Sequence, residues 1–223
     1  MAYSPILDEI KKFYSESKLV GSTNYFVRDG IINEPLYRHQ KKRVLFVAKE
    51  HNIIPKGQYQ ERPDDGYVEW WNEHVHLQFS HRIAEWAFGI QNGFPSFSHT
   101  LDYQLKHEAL KSIAFINVKK SGGSSISDMD VISEYIEQTR DLLLRQILEI
   151  DPTHIVTCFR SDRLAEQLLN ITLQRPSHGA FGYGMWKETQ VVNFFHPSSR
   201  KNKKFLYDQL AEAFNLCNQI IYC

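Results

Sequence analysis

Four places in the chain carry side chains able to do chemistry, each just after a short apolar run. They are Glu50, His51 and Asn52; Asn117, Lys119 and Lys120; Arg160 and Ser161; and His196, Ser198 and Ser199. A carboxylate can stabilise a cation, an amide offers a donor and an acceptor to the edge of a base, and an imidazole can stabilise an anion. That combination works only if the elements before these residues bring them to one edge.

The preceding runs are Val44-Leu45-Phe46-Val47-Ala48, Ile113-Ala114-Phe115-Ile116, Ile155-Val156-Thr157-Cys158-Phe159 and Val191-Val192-Asn193-Phe194-Phe195. Short, apolar and rich in β-branched residues, they predict strands buried on both faces, as in a parallel sheet. Helical spacing fills the intervals. Ile6, Ile10, Phe13 and Tyr14 predict an opening helix after Pro5, and 21–43 reads as turns and irregular chain. Residues 131–150 form the clearest helix, with Val131, Ile132, Tyr135, Ile136, Leu142, Leu143, Ile147 and Leu148 on one face and Ser127 as its cap. Further helices are expected over 69–88, 162–169 and 204–215. Strands joined by helical crossovers imply an α/β fold, here a three-layer α/β/α sandwich with a four-stranded parallel sheet. In such sheets the ligand lies beyond the carboxyl ends of the strands.

Composition limits the alternatives. At 223 residues with ordinary apolar and charged content, the chain suits one folded domain spanning 1–223. Lys plus Arg and Asp plus Glu are equal at 26 each, so net charge neither favours nor excludes a polyanionic partner. Three cysteines, Cys158, Cys217 and Cys223, fit no zinc ribbon or disulfide framework, which points to a reducing, cytoplasmic home. No apolar run approaches the ~18 residues of a membrane span, so no membrane association is expected, and the chain reads as a monomer.

The four segments resemble the uracil-DNA glycosylase superfamily in their order and in the motif that ends each strand. Leu45 to Asn52 is similar to the first motif, an apolar strand entering a loop whose Asp or Asn handles the attacking water. Ile113 to Asn117 resembles the strand ending in a pyrimidine-reading Asn, and Phe195-His196-Pro197-Ser198-Ser199 the His-Pro-Ser motif of the intercalation loop. The resemblance covers a core of about 43–206. It places Glu50 at the catalytic carboxylate or amide, His196 at the leaving base and Asn117 on the base edge. Ala48 stands where the family has Gly, His51 where it has Pro, and Asn52 where uracil-specific members have a Tyr that walls off the pyrimidine 5-position.

These roles suit the chemistry. Breaking an N-glycosidic bond builds oxocarbenium character on the sugar and negative charge on the departing base. Asn117 would read the base once it is rotated out of the stack. Arg200, Lys201, Lys203 and Lys204, with Ser198 and Ser199, would hold flanking phosphates of a DNA partner. A stacking ring is expected between Tyr67 and Phe97, with Phe94 or Phe97 favoured. The resemblance thus implies a monofunctional DNA glycosylase without metal or cofactor, acting on a pyrimidine. Asn52 and the aromatic stretch from Trp70 to Phe97 extend this to 5-substituted bases, including glucosylated hydroxymethylcytosine of phage DNA. Uracil repair, a non-catalytic binding module and a hydrolase of free nucleotides are the competing readings.

Each residue also has an ordinary structural role to weigh. Glu50 could be ion-paired, Asn117 could serve a turn, His196-Pro197 could be a plain loop, and the basic run could be a solvated helix start. Glu73, His74, His76 and His81 match no zinc spacing, and a helix would point His74 and His76 to different faces. Lys119 or Lys120 could supply a Schiff-base amine only if desolvated.

Overall fold

A computed structural model describes residues 4–52, 66–124 and 126–221. In chain order its elements are α1 (Pro5–Glu16), β1 (Gly30–Ile31), α2 (Glu34–His39), β2 (Val44–Asn52), α3 (Tyr67–Glu73), α4 (Gln78–Asn92), α5 (Tyr103–Lys111), β3 (Ala114–Gly123), α6 (Met129–Ile150), β4 (His154–Thr157), α7 (Asp162–Leu169), β5 (Gly182–Trp186), β6 (Thr189–Asn193) and α8 (Lys203–Ile221). A single 3-10 turn, Phe97–Leu101, precedes α5.

The strands form one six-stranded, mostly parallel sheet of order β1-β3-β2-β4-β6-β5. The α/β class therefore holds, but the sheet is larger than the four strands expected. β3, β2, β4 and β6 run parallel, and β1 and β5 close the edges antiparallel. Both edges escaped the sequence for a physical reason. β1 is only two residues long, and β5 carries two glycines in the run Gly-Tyr-Gly-Met-Trp, so neither has the apolar signature of a central strand.

Alternation along the central strands builds two cores. Val44, Phe46, Phe115, Val156 and Val192 face one layer with Trp71, Trp86, Leu110 and Leu210 from α3, α4, α5 and α8. Leu45, Val47, Ala114, Ile116, Ile155 and Val191 face the other with Ile6, Ile10, Tyr135, Leu143 and Leu164 from α1, α6 and α7. Helices thus cover both faces, as buried parallel strands require.

Several boundaries differ from expectation. Residues 21–43 contain β1 and α2, the latter capped by the Asn33 side chain. The helix expected over 69–88 is two helices, broken at 74–77. α6 is capped by Asp128, not Ser127, whose carboxylate accepts from the Asp130 and Val131 amides. On α6, Leu143 is buried whereas Leu148 is 49% exposed. Most consequential, β2 and β3 run on through Lys49–Asn52 and Asn117–Gly123, segments the sequence presents as loops because they are polar.

Among the described residues no helix is long and apolar enough to cross a membrane. The two-layer packing of α6 predicts that Leu143→Ala lowers unfolding free energy by about 2–5 kcal/mol. Leu148→Ala on the same helix should change it by less than about 0.5 kcal/mol, both read by chemical denaturation.

Candidate functional site

Continuation of β2 and β3 past their apolar segments sets the register of the polar residues. Glu50 lies directly opposite Lys119, and Asn52 opposite Gly123 across an irregularity in the ladder. Lys119 Nζ donates to Glu50 Oε2 at 2.7 Å and to the Gly122 carbonyl at 3.2 Å. A Cβ on Gly123 would come within 1.7 Å of Glu50 Oε2, so the glycine is what lets the carboxylate lie flat against β3. This pair sits toward Tyr135, with Lys119 Nζ 5.8 Å from that ring, on the second-core side of the sheet.

Lys49 and His51 point the other way. The His51 ring packs on Trp70 at 5.3 Å, and its Nδ1 shares a hydrogen bond with the Tyr67 hydroxyl at 3.0 Å. Tyr67 in turn packs on Phe115 at 4.4 Å. Phe79 bridges Phe115, at 5.8 Å, and His196, at 5.4 Å. Beside Tyr67 lies the Asn117 side chain. It is fully buried, and neither its amide nitrogen nor its oxygen has a hydrogen-bond partner among the described residues. The Tyr67 hydroxyl lies close enough to feel that amide, but without hydrogen-bond geometry. An unpaired buried amide costs about 1–3 kcal/mol.

The backbone of Asn117 is held as firmly as its side chain is left free. Its N–H donates to Asp29 Oδ2 at 2.8 Å, and its carbonyl accepts from Lys120 Nζ at 3.0 Å. Lys120 and Asp29 are themselves an ion pair at 2.8 Å whose side chains are both 0% exposed. Gln146 donates to Asp29, and the Tyr14 hydroxyl accepts the Lys120 backbone N–H. Burial pulls the Lys120 ammonium below the usual lysine range, opposed by the Asp29 carboxylate. Lys119 and Lys120 are thus both committed to carboxylates, which leaves neither placed for Schiff-base chemistry.

His196 is held in one tautomer. Its Nδ1 accepts the Ser198 backbone N–H at 3.2 Å, so in the neutral ring the proton sits on Nε2. Burial, aided by the positive charge of Lys49, lowers its pKa to about 4. His51 is lowered to about 4 by burial. Both rings are therefore neutral near pH 7, and Nε2 of His196 is a donor without being a cation. Burial also lowers Lys49, partly offset by Glu50 and Cys158.

The structure gathers Asn117 and His196 with Lys49, His51, Tyr67 and Phe79, and sets other expected residues apart. Glu50 is on the opposite side of the sheet, neutralised by Lys119. Asn52 is exposed at the end of β2, so the ring beside Asn117 is Tyr67. Phe94 and Phe97 pack against Tyr207 on α8, at 5.3 and 5.5 Å, and the ring against His196 is Phe79. Lys203 pairs with Glu85 at 3.5 Å and Lys204 with Asp208 at 2.5 Å. Ser199, whose N–H donates to the His196 carbonyl, closes the turn with Ser198. Arg200 and Lys201 are exposed, with no ion pair among the described residues. His74 and His76 lie in the α3–α4 connection, not a helix, with rings 3.7 Å apart. They belong to no group of three or more metal-ligating side chains among the described residues. Phe79 was findable only as the first of the helical stripe Phe79, Ile83, Trp86; nothing local marks Asp29.

Lys120→Met should lower stability by about 3–5 kcal/mol, because it leaves Asp29 buried and unpaired. Adding Asp29→Leu to that variant should recover much of the loss, as measured by chemical denaturation. Comparison with known proteins finds no family model and no curated protein sequence that matches the chain.

Proposed function

We propose that the protein binds a flipped-out pyrimidine in DNA at Asn117 and hydrolyses its N-glycosidic bond. The observation that carries this reading is the Asn117 side chain, buried beside Tyr67 with both its donor and its acceptor unpaired among the described residues. A pyrimidine edge presents the complementary acceptor and donor, and planar rings such as Tyr67 and Phe79 suit a flat base.

Leaving-group stabilisation is the best-supported chemical step. As the glycosidic bond breaks, the electron pair goes to the base, and its carbonyl oxygen becomes anionic. His196 Nε2–H can donate to that oxygen, and Lys49, close enough to shift His196, adds positive charge on the same side. A neutral imidazole held in the right tautomer needs no proton change to do this. Glu50 contributes less than the resemblance implies, because Lys119 neutralises the charge that would favour a cationic sugar. That same ion pair favours one second reading, a base-binding module without catalysis. The extension to 5-substituted pyrimidines loses the support of Asn52 and rests on the aromatic lining alone.

The test is incubation with DNAs bearing uracil, 5-substituted pyrimidines and phage-modified cytosines, followed by alkaline cleavage of abasic sites. Excision of at least one base is expected, and His196→Ala should lower its rate by about 10²–10³. Because His196 acts neutral, with a pKa of about 4, activity should show no histidine inflection near 6.5 and should fall only as pH approaches 4, where a proton on Nδ1 breaks the bond it accepts from the Ser198 N–H and frees the ring. Base-dependent binding without excision across the panel would select the binding module.

A further inference from the structure

Beyond Phe195–His196 the carboxyl edge of the sheet holds a concavity. Its volume is about 520 Å³, and it is lined by Arg160, Arg175, Asn193, Phe195, Lys201 and Phe205 among others. Its charges are unevenly matched. Arg175 is neutralised by Asp162, which also accepts from Asn193 Nδ2 at 2.6 Å. Arg160 and Lys201 have no carboxylate partner among the described residues. Both are stationed instead on one aromatic ring, with the Arg160 guanidinium 5.4 Å and the Lys201 ammonium 5.3 Å from the centre of Phe195.

Arg160 reaches this position at a conformational cost. Its φ of 62° lies in the left-handed region, and its N–H is tied to the Phe194 carbonyl at 3.1 Å. Two uncompensated cations converging on a cavity, one on a strained backbone, form a site for an anion with several acceptor oxygens. Phe205, 45% exposed at the rim, gives the cavity an apolar margin that a free inorganic ion would not need.

We infer that this cavity seats a backbone phosphodiester of the strand whose base is held at Asn117. The placement rests on the proposed function, whereas the anion site follows from the cavity itself. His196 packs on Phe79 beside the proposed base site while Phe195, its neighbour in the chain, lines the cavity. A strand crossing this segment would put a base on one side and a phosphate on the other. The polar contacts serve position, not base choice.

The test is binding of a labelled single-stranded oligonucleotide across a salt series, with Arg160→Gln/Lys201→Gln and the control Lys41→Gln. The double variant should reduce the slope of log K against log salt by roughly 0.7, the value for one phosphate neutralised on a single strand. The control, exposed just before the amino end of β2 and outside the cavity, should match the parent, and Arg160→Lys should keep most of the slope. Phosphate and a nucleoside monophosphate, added as competitors, separate the sources. Failure of either to displace the oligonucleotide at matched ionic strength supports a strand phosphodiester; efficient displacement by the monophosphate overturns it in favour of a free nucleotide. A slope equal to the parent's overturns the site even if base excision is found. Loss of slope in a protein that excises no base keeps the site and removes the glycosylase reading.

Discussion

The buried Asp29–Lys120 pair is the constraint on which the candidate site depends. Taking both charges out of water costs several kcal/mol per ion, and attraction between them offsets this only if the remaining hydrogen-bonding capacity is used. Here it is used on β3. Asp29 accepts the Asn117 N–H and Lys120 donates to the Asn117 carbonyl, so the ions fix the peptide of a residue whose own side chain is left unpaired among the described residues. A hydrogen-bonded turn could have held the same backbone at lower cost. What the ion pair adds is rigidity in a region where β3 passes from apolar core to polar edge.

Around that fixed point, the two sides of the sheet carry opposite electrostatics. Glu50 and Lys119 cancel each other on the side of Tyr135. On the side of Asn117, Lys49 stands near two neutral imidazoles with no carboxylate of its own strand facing it, since Glu50 points away. A site of this sign favours a ligand that gains negative charge. The Arg160 and Lys201 cavity extends the same sign along the edge. Both features favour a nucleic acid strand whose base departs as an anion, although the chain as a whole is neutral.

The central strands and most helices are legible in the sequence because burial on both faces leaves unbroken apolar runs such as 44–48. Asn117 and His196 are legible as polar residues terminating such runs. What escapes is whatever depends on pairing between distant segments. Polarity made Lys49–Asn52 look like a loop, yet cross-strand hydrogen bonds keep it in the sheet and set Glu50 opposite Lys119. Asp29 meets Lys120 across 91 residues, in a stretch that reads as irregular chain. Phe79, the ring that packs on His196, falls within the interval in which a stacking ring is expected, but which of Phe79, Phe94 and Phe97 lies there is decided by how α4 and α8 pack, which no local pattern encodes.

The central claim is that the Asn117 amide waits for the edge of a base. The most direct measurement is the NMR resonance pair of its side-chain NH₂, assigned by comparison with Asn117→Ala, followed while an oligonucleotide bearing an extrahelical pyrimidine is added. A new hydrogen bond should move the bonded member of the pair downfield and protect it from solvent exchange, with an abasic oligonucleotide of the same sequence producing neither effect. Identical spectra with the base present and absent would contradict the account, leaving Asn117 as a buried polar group without a ligand.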